Sequence, residues 1–416
     1  MSDTRWLVLL CASRVGFSLI FTVYSALLPV LMGAWLMSAA DAGLVQSGWH
    51  VGYLLSLFGA GLLTDRLGAR RTFLSMSAGA CASALLFAFF ANGFWSGLLL
   101  YFVAGLASGG SYTPVLALIA QRYGPEKRGS AMGWFLAAGS FGYGVSLIAC
   151  AAIAPWAGWR AGLALSAVAT IAGATLGWLA MRDTRDESPH ASTTLPWLAS
   201  ARQLWRNKPA KLAIGSYTLH CWELLGMWAW LPAFLVAAAA HGGDLSSALA
   251  VGVGIAGMTH LVSAVGSIAG GTLSDRIGRT RVILMMSLAS LACSFSFGWM
   301  LGSTFWLIAM VAIIYNLTAI GDSSVFSTVL TETVPPSQIG FAFSVRSVLG
   351  FGMGAISPWV FGLVLDWVGA GDPGLQAWGL AWCTIGIGAL LGPLLTWQLH
   401  RSLAQVNSRS PAKFDA

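Results

Sequence analysis

Residues 61–71 read GLLTDRLGARR, and residues 271–281 read GTLSDRIGRTR. Both stretches contain the pattern Gly-x-x-x-Asp-Arg-x-Gly, and they lie 210 residues apart. The same offset relates His50 to His260, each of which precedes the aspartate of its stretch by fifteen residues. The similarity therefore extends into the preceding segments, and the chain is predicted to consist of two related halves.

The composition predicts an all-α membrane protein. Charged residues make up only 9% of the 416 residues and hydrophobic residues make up 57%, which leaves too little polar surface for a soluble protein of this size. Apolar stretches of twenty or more residues recur along the chain, and about 20 helical residues cross a hydrocarbon core of about 30 Å. We expect twelve transmembrane helices in two pseudo-symmetric six-helix bundles. The twelve spans, numbered in chain order, are expected near residues 5–36, 42–64, 72–93, 95–122, 129–154, 159–181, 211–239, 246–273, 281–301, 304–333, 339–366 and 375–400.

These spans divide the chain into four parts. Residues 1–181 and 211–400 are the two predicted six-helix bundles. Residues 182–210 are richer in charged and polar side chains, which is typical of a solvated linker, here a cytoplasmic one. Residues 401–416 are expected to form a cytoplasmic tail.

The positive charges predict the orientation. If the N-terminus is cytoplasmic, all of the 22 lysines and arginines except Arg14, Arg160 and Arg346 lie in cytoplasmic loops or at cytoplasmic helix ends, as the positive-inside rule requires. This predicts a multi-pass protein of the cell inner membrane with both termini in the cytoplasm. The net charge of +7 is explained by topology, so no nucleic-acid partner is expected.

No cofactor or metal is expected from the sequence. The six cysteines fall singly in separate apolar segments, without the close pairs of a metal site or a disulfide framework. Motifs for nucleotide binding, for zinc peptidases and for serine hydrolases are not present in the sequence. A membrane-embedded receptor or enzyme is therefore disfavoured, and the chain is predicted not to be an enzyme.

The repeated Gly-x-x-x-Asp-Arg-x-Gly stretch resembles the signature loop of the major facilitator superfamily, and the resemblance covers essentially the whole chain. It implies a secondary transporter that works by alternating access, with a substrate site between the halves. It also implies that this loop stabilises the outward-facing state and breaks as the halves rock, with Asp65 capping a helix or pairing with Arg122. The predicted conformational gate comprises Gly61, Asp65, Arg66, Gly68, Arg70, Arg71, Arg122, Gly271, Asp275, Arg276, Gly278 and Arg281. The alternative is that these charges only set topology and a turn.

Two departures from the family pattern affect the expected mechanism. Many proton-coupled members carry an arginine four residues before a glycine in span four, whereas here Tyr101 precedes Gly105. Drug antiporters often carry Gly-Pro in span five, whereas here Gly144 is followed by Val145. Proton coupling through span four and drug export are both less well supported.

Ionisable residues inside the predicted spans are the main candidates for function. Inserting one at the centre of the bilayer costs at least ~2.5 kcal/mol of free energy, so such a residue almost always faces a cavity or a partner. Arg14 in span one and His220 in span seven lie at similar depths, so both are expected to face one ligand. Aligning Pro29 with Pro232 would instead place Tyr217 opposite Arg14. The predicted substrate-binding residues are Arg14, Phe17, Phe21, Tyr24, Tyr217, His220, Trp222, Asp322 and Arg346.

Glu223 follows His220 by three residues, which places both on one helical face. A buried carboxylate beside an imidazole can take up and release a proton, so His220, Glu223 and Asp322 are the predicted proton-coupling residues. The alternative is a hydrogen-bonded pair that ties span seven to a neighbour. Asp322 and Arg346 are also placed to pair across spans ten and eleven, while His50 and His260 are interpreted as structural.

These observations predict a monomeric symporter that moves a small organic anion, a carboxylate-type metabolite, together with protons. Arg14 binds the anion in this hypothesis. The alternative is a proton-driven exporter of cationic or amphipathic compounds, in which Glu223 and Asp322 bind the cation.

Overall fold

The computed structural model describes residues 1–182, 184, 197–240, 244–335, 338–370 and 373–409. Over these ranges the regular structure is helical, without a strand. Ten segments are long and apolar enough to cross a membrane. One of them contains two spans, because the helix Pro125–Met181 is interrupted at Gly158. The helix Ala39–Leu67 completes the predicted twelve.

The helix bounds define each span. Several spans consist of two consecutive helices with an irregular residue or turn between them. The spans are one (Asp3–Ala34), two (Ala39–Leu67), three (Ala69–Phe90), four (Phe94–Ser108 and Thr113–Arg122), five and six (within Pro125–Met181), seven (Lys208–Ala240), eight (Leu245–Ile277), nine (Arg279–Ser296), ten (Phe305–Gly321 and Ser323–Thr333), eleven (Ile339–Gly354 and Ser357–Gly369) and twelve (Leu375–Ala389 and Leu391–Arg409). Short 3-10 turns cover Gly109–Ser111 and Phe297–Met300.

Two glycines of the repeated stretch lie in tight turns between consecutive helices. Gly68 has a φ of 89° and Gly278 has a φ of 100°, a region that only glycine enters without strain. Each one separates two consecutive spans, two from three and eight from nine. The repeat thus specifies the same turn twice.

Residues 183 and 185–196 of the predicted linker lie outside the described residues. Its last part forms the helix Trp197–Arg206. The final helix continues to Arg409, beyond the predicted start of the tail at residue 401, and residues 410–416 of that tail lie outside the described residues.

Small residues bring helices of the same half close together. A methyl group on Gly16 of span one would collide with the backbone of Gly173 in span six. A methyl group on Gly270 of span eight would collide with the carbonyl of Gly321 in span ten. Such backbone approach is how membrane helices associate without a hydrophobic driving force.

The two halves meet at one end of the molecule, here called the closed face, where span two begins near Ala39 and span eleven ends near Asp366. The backbone amides of Ala39 and Ala40 donate hydrogen bonds to the Asp366 carboxylate at 2.8 and 2.7 Å. Spans five and eight also touch, nearer the middle of each helix, since a methyl group on Gly144 would lie 3.0 Å from the carbonyl of Gly257. These contacts join the two halves.

The opposite end, which carries residues 61–71 and 271–281, is here called the motif face. A cavity of about 640 Å³ opens there between spans two, four and five of the first half and spans ten and eleven of the second. Its lining runs from Asp65 at the motif face to Tyr112 and Arg346 deeper in the molecule. The structure is therefore open at the motif face and shut at the other.

Candidate functional site

Arg14 is a buried cation that lies behind Tyr112, one of the residues that line the cavity. Its side chain is 8% exposed, and its Nη1 donates a hydrogen bond to Ser111 Oγ at 3.1 Å. The guanidinium lies over the rings of Tyr112 and Phe135, at 5.2 and 5.7 Å from the ring centroids. Among the described residues Arg14 has no carboxylate partner, and its Nε is buried without any hydrogen bond.

Two further tyrosines surround this guanidinium. The phenol groups of Tyr53 and Tyr143 lie within electrostatic reach of Arg14, as does that of Tyr112. Gly139 leaves room for the guanidinium, since a methyl group there would lie 3.2 Å from Arg14 Nε. An arginine among phenol donors suits an anion, because each hydroxyl can donate to an oxygen that the guanidinium attracts.

His220 pairs with Asp322 in the second half. His220 Nδ1 lies 3.1 Å from Asp322 Oδ1, and His220 Nε2 lies 2.9 Å from Ser323 Oγ. Asp322 is 1% exposed and occupies the single residue between the two helices of span ten. The predicted pairing of Asp322 with Arg346 is not formed, because His220 projects from span seven onto the break in span ten.

Glu223 is bonded to span nine. Its carboxylate accepts hydrogen bonds from Ser290 Oγ at 3.0 Å and from Ser294 Oγ at 2.8 Å, and Ser294 Oγ also lies 2.5 Å from the Tyr315 hydroxyl. Glu223 and His220 line one small cleft together with Ser216. The two predicted proton-coupling residues on span seven are thus neighbours whose hydrogen bonds go to different spans.

Arg346 faces the cavity from span eleven. Its Nη1 donates to Ser327 Oγ at 2.8 Å, and its guanidinium lies over the rings of Tyr217 and Phe343 at 4.3 and 4.5 Å. It has no carboxylate partner among the residues that the structure describes. Tyr217 connects it to His220, with the two rings 5.6 Å apart.

Three predicted substrate-binding residues pack against helices instead of the cavity. Phe17 packs on Phe73 of span three, with ring centroids 6.2 Å apart. Tyr24 is fully buried and donates to the carbonyl of Ala42 at 3.0 Å. Trp222 donates to the carbonyl of Thr384 in span twelve at 3.1 Å. Helical spacing alone placed them near the site, but the rotation of spans one and seven turns them away from it.

Tyr101, which stands where many proton-coupled members carry an arginine, connects span four to span one. It is fully buried, and its hydroxyl donates to the carbonyl of Phe21 in span one at 2.8 Å. The position therefore supports the backbone of span one beside the site.

The residues predicted to form a gate lie at the motif face, and the two copies of the repeated stretch are bonded differently. Asp65 is exposed at the cavity mouth and makes no ion pair among the described residues. Arg122 donates instead to Asp3 Oδ1 at 2.8 Å, so the predicted pairing with Asp65 is not formed. This pairing is not expected in a molecule that is open at this face.

In the second copy of the gate, Arg279 bridges two carboxylates. It bonds to Asp275 and lies 3.2 Å from Glu332 Oε1. Glu332 occupies the position equivalent to Arg122, 210 residues earlier. The other predicted gate residues lie at or beside helix ends of the same face: Gly61, Arg66, Arg70, Arg71, Gly271, Arg276 and Arg281. A methyl group on Gly61 would meet nothing within 4 Å, so close helix approach is not its role.

Sequence reasoning missed Tyr53, Ser111, Tyr112, Tyr143 and Ser323, which complete the site. Ser111 and Ser323 lie at the interruptions of spans four and ten, and no hydropathy signal marks such a break. Tyrosine is uncommon in this chain, with eight in 416 residues. That scarcity is the one sequence signal that marks a tyrosine within a span as a candidate.

Known proteins resemble this chain in sequence. The family model described as Major Facilitator Superfamily matches residues 10–358. An uncharacterized MFS-type transporter of Mycobacterium tuberculosis is 26% identical over 393 residues, which cover 92% of this chain and 82% of that protein. A protein of Cupriavidus pinatubonensis named "Probable 4-methylmuconolactone transporter" is 25% identical over 346 residues, covering 79% and 77% of the two chains.

A solved structure supports the same fold. The crystal structure of a D-xylose-proton symporter superposes with a TM-score of 0.77 at 15% identity, covering 96% of this chain and 98% of the other. The interrupted helices, the paired glycine turns and a cavity between two related halves agree with the match of the family model. This chain therefore belongs to the Major Facilitator Superfamily and is a multi-pass secondary transporter, not an enzyme.

Proposed function

We propose that this transporter moves a small organic anion together with protons across the inner membrane, as a monomer with both termini in the cytoplasm. The observation that carries this proposal is the pair of cations at one cavity. Arg346 lines the cavity and Arg14 lies under its Tyr112 wall. Neither has a carboxylate partner among the described residues.

An uncompensated guanidinium in a membrane interior is costly, so it is retained where a ligand or a partner offsets its charge. The partners of Arg14 and Arg346 are neutral hydroxyls and aromatic rings. A carboxylate between them would supply the missing negative charge and would accept charge-assisted hydrogen bonds. The relative named for 4-methylmuconolactone supports a small organic substrate.

The acidic residues are better suited to proton coupling than to cation binding. Asp322 is held by His220, and Glu223 by two serine hydroxyls. An exporter of cations would need at least one of these carboxylates at the cavity. Groups that change protonation inside a transporter fold are the usual proton relays, so His220, Asp322 and Glu223 are assigned that role.

The proposed orientation in the membrane determines to which side the cavity opens. With both termini in the cytoplasm, the motif face is cytoplasmic and the cavity opens inward. Anion release into the cytoplasm is the step that this conformation represents. Closure of the motif face would then re-form the contacts of the Asp65 loop in the outward-facing state.

Uptake by proteoliposomes tests the proposal. Radiolabelled carboxylic acids are offered with and without an inward proton gradient, and the gradient is expected to increase uptake. The Arg14→Ala variant is expected to lose at least tenfold in uptake, because a hydrogen bond to a charged group contributes about 1.5–3 kcal/mol. Arg160 lies over Trp159 at 4.4 Å from its centroid, outside the site, so Arg160→Ala is the matched control. Uptake indifferent to the gradient and equal in both variants would contradict the proposal.

A further inference from the structure

A cluster of four aromatic residues closes the inner end of the site. It consists of Phe21, Trp49, Tyr143 and Trp228, from spans one, two, five and seven, and is here called the aromatic cluster. The centroid of Phe21 lies 4.6 Å from Trp49, 4.7 Å from Tyr143 and 6.1 Å from Trp228. Tyr143 and Trp228 are partly exposed. Both halves therefore contribute rings to one surface.

Two histidines flank the aromatic cluster, one from each half. His50 lies 5.9 Å from Phe21, and His260 lies 4.9 Å from Trp228, measured between ring centroids. They occupy equivalent positions in the two repeats, and they are 1% and 2% exposed. From the sequence alone both histidines were interpreted as structural. In the structure they lie on either side of the contact between the halves, where a pair of ligand-binding residues would lie.

Each histidine has a buried ring nitrogen without a hydrogen-bond partner, namely His50 Nε2 and His260 Nδ1. His50 Nδ1 lies 2.9 Å from the carbonyl of Gln46. A carbonyl only accepts, so Nδ1 carries the proton and Nε2 of the neutral ring is an acceptor. Buried polar atoms normally find partners, and a ligand with a hydroxyl group would supply one here.

The aromatic cluster is connected to Arg14. Arg14 and Phe21 are seven residues apart on span one, which is about 10 Å along the helix axis. Tyr143 spans the interval, because its phenol lies within electrostatic reach of Arg14 while its ring contacts Phe21. A carboxylate and a hydroxyl separated by one ring are about 6–7 Å apart, and a hydrogen bond of about 2.8 Å at each end lets such a ligand reach across this interval.

We propose that His50, His260 and the aromatic cluster form a second subsite that binds the ring and the distal hydroxyl of a planar, aromatic carboxylic acid. The proposal rests on the proposed anion transport, because Arg14 holds the carboxylate. The ring packs against the aromatic cluster, as offset or edge-to-face ring pairs do. The hydroxyl hydrogen-bonds to the unpartnered ring nitrogen of His50 or, from the other side of the aromatic cluster, to that of His260.

Binding to the purified full chain in lipid nanodiscs tests this assignment, with benzoate, 4-hydroxybenzoate and propionate as probes in titration calorimetry. The wild type is expected to bind 4-hydroxybenzoate about tenfold more tightly than benzoate, since a site built around a substrate hydroxyl discriminates against its absence. His50→Phe and His260→Phe are expected to bring that ratio towards one while leaving benzoate affinity within a fewfold. His400, which lies 2.8 Å from Thr280 Oγ1 at the motif face, supplies the control His400→Phe.

The outcomes separate this subsite from the proposed function. A ratio that neither histidine variant changes would overturn the subsite, and so would propionate binding as tightly as 4-hydroxybenzoate, while anion transport through Arg14 would stand. Binding of none of the acids, with Arg14→Ala indistinguishable from wild type in uptake, would overturn both. If a histidine variant does not fold, the affinities of the wild type for 4-hydroxybenzoate and 4-methylbenzoate are compared instead, because the methyl analogue keeps the shape and lacks the hydrogen-bond donor. Equal affinities would overturn the subsite.

Discussion

Asp366, at the end of span eleven, accepts hydrogen bonds from the backbone amides of Ala39 and of its neighbour Ala40 at the start of span two, at 2.8 and 2.7 Å. A carboxylate at a helix N-terminus satisfies free amides and interacts favourably with the helix dipole. Here the acid belongs to one half and the helix to the other. This cap therefore stabilises only the conformation in which the closed face is shut.

Asp366→Ala is expected to shift the molecule towards the state that is open at the closed face. Loss of a cap costs about 0.5–2 kcal/mol, which corresponds to roughly a two- to thirtyfold change in the ratio of the two states. Labelling of a cysteine introduced at Ala40, in a background without the native cysteines, should become faster. Asp366→Asn retains one acceptor and should have a smaller effect.

Asp244 provides the control for this latch. It caps its own helix, span eight, by accepting from the amides of Ser246 and Ser247 at 2.8 and 3.0 Å. Asp244→Ala removes a cap of similar chemistry without touching the contact between halves. Equal labelling rates in Asp244→Ala and Asp366→Ala would show that Asp366 is not a latch.

Gly139→Ala is expected to weaken anion binding without removing any charge. The added methyl group would lie 3.2 Å from Arg14 Nε, so the guanidinium must move by a few tenths of an ångström. Because charge-assisted hydrogen bonds depend on geometry, we expect the half-saturating substrate concentration to rise about fivefold. Gly133→Ala meets nothing within 4 Å and should behave like the wild type in the same uptake assay.

Glu223→Gln and Asp322→Asn are expected to uncouple transport from protons. Each amide keeps the size of the acid but cannot exchange a proton, so accumulation driven by a pH gradient should be lost while exchange of labelled for unlabelled substrate continues. Both activities are measured in the same proteoliposomes. Glu332→Gln, at the motif face, is the control. Gradient-driven accumulation that survives in both variants would remove these residues from the coupling mechanism.

Arg279→Ala is expected to destabilise the second half modestly and in a salt-dependent way. Arg279 joins Asp275 to Glu332 on an exposed surface, where an ion pair contributes about 0.2–1 kcal/mol and is screened by salt. The thermal unfolding midpoint should fall by about one degree at low salt and by less at 1 M salt. Among the described residues, the hydrogen bond of Arg281 is to the carbonyl of Ile277 at 3.5 Å, so Arg281→Ala should leave the midpoint nearly unchanged.

Several features of this transporter follow from the sequence alone. The twelve spans follow from hydropathy, which depends on the composition of each segment and not on its neighbours. The glycine turns at Gly68 and Gly278 follow from the repeat, because the φ values they adopt exclude other residues. Arg14 and His220 were correctly placed within their spans, since a charge in an apolar segment is visible without any structure.

The tertiary structure alone decided which of these groups meet. Asp322 pairs with His220 and not with Arg346, and Tyr24 points into helix packing although its spacing matches that of Arg14. Both outcomes depend on the rotation of each helix about its axis and on the breaks in spans four and ten. Those are set by the fit between neighbouring helices across hundreds of residues, so no local pattern encodes them. The contact of Asp366 with Ala39 joins residues 327 positions apart, so it depends on how the two halves meet.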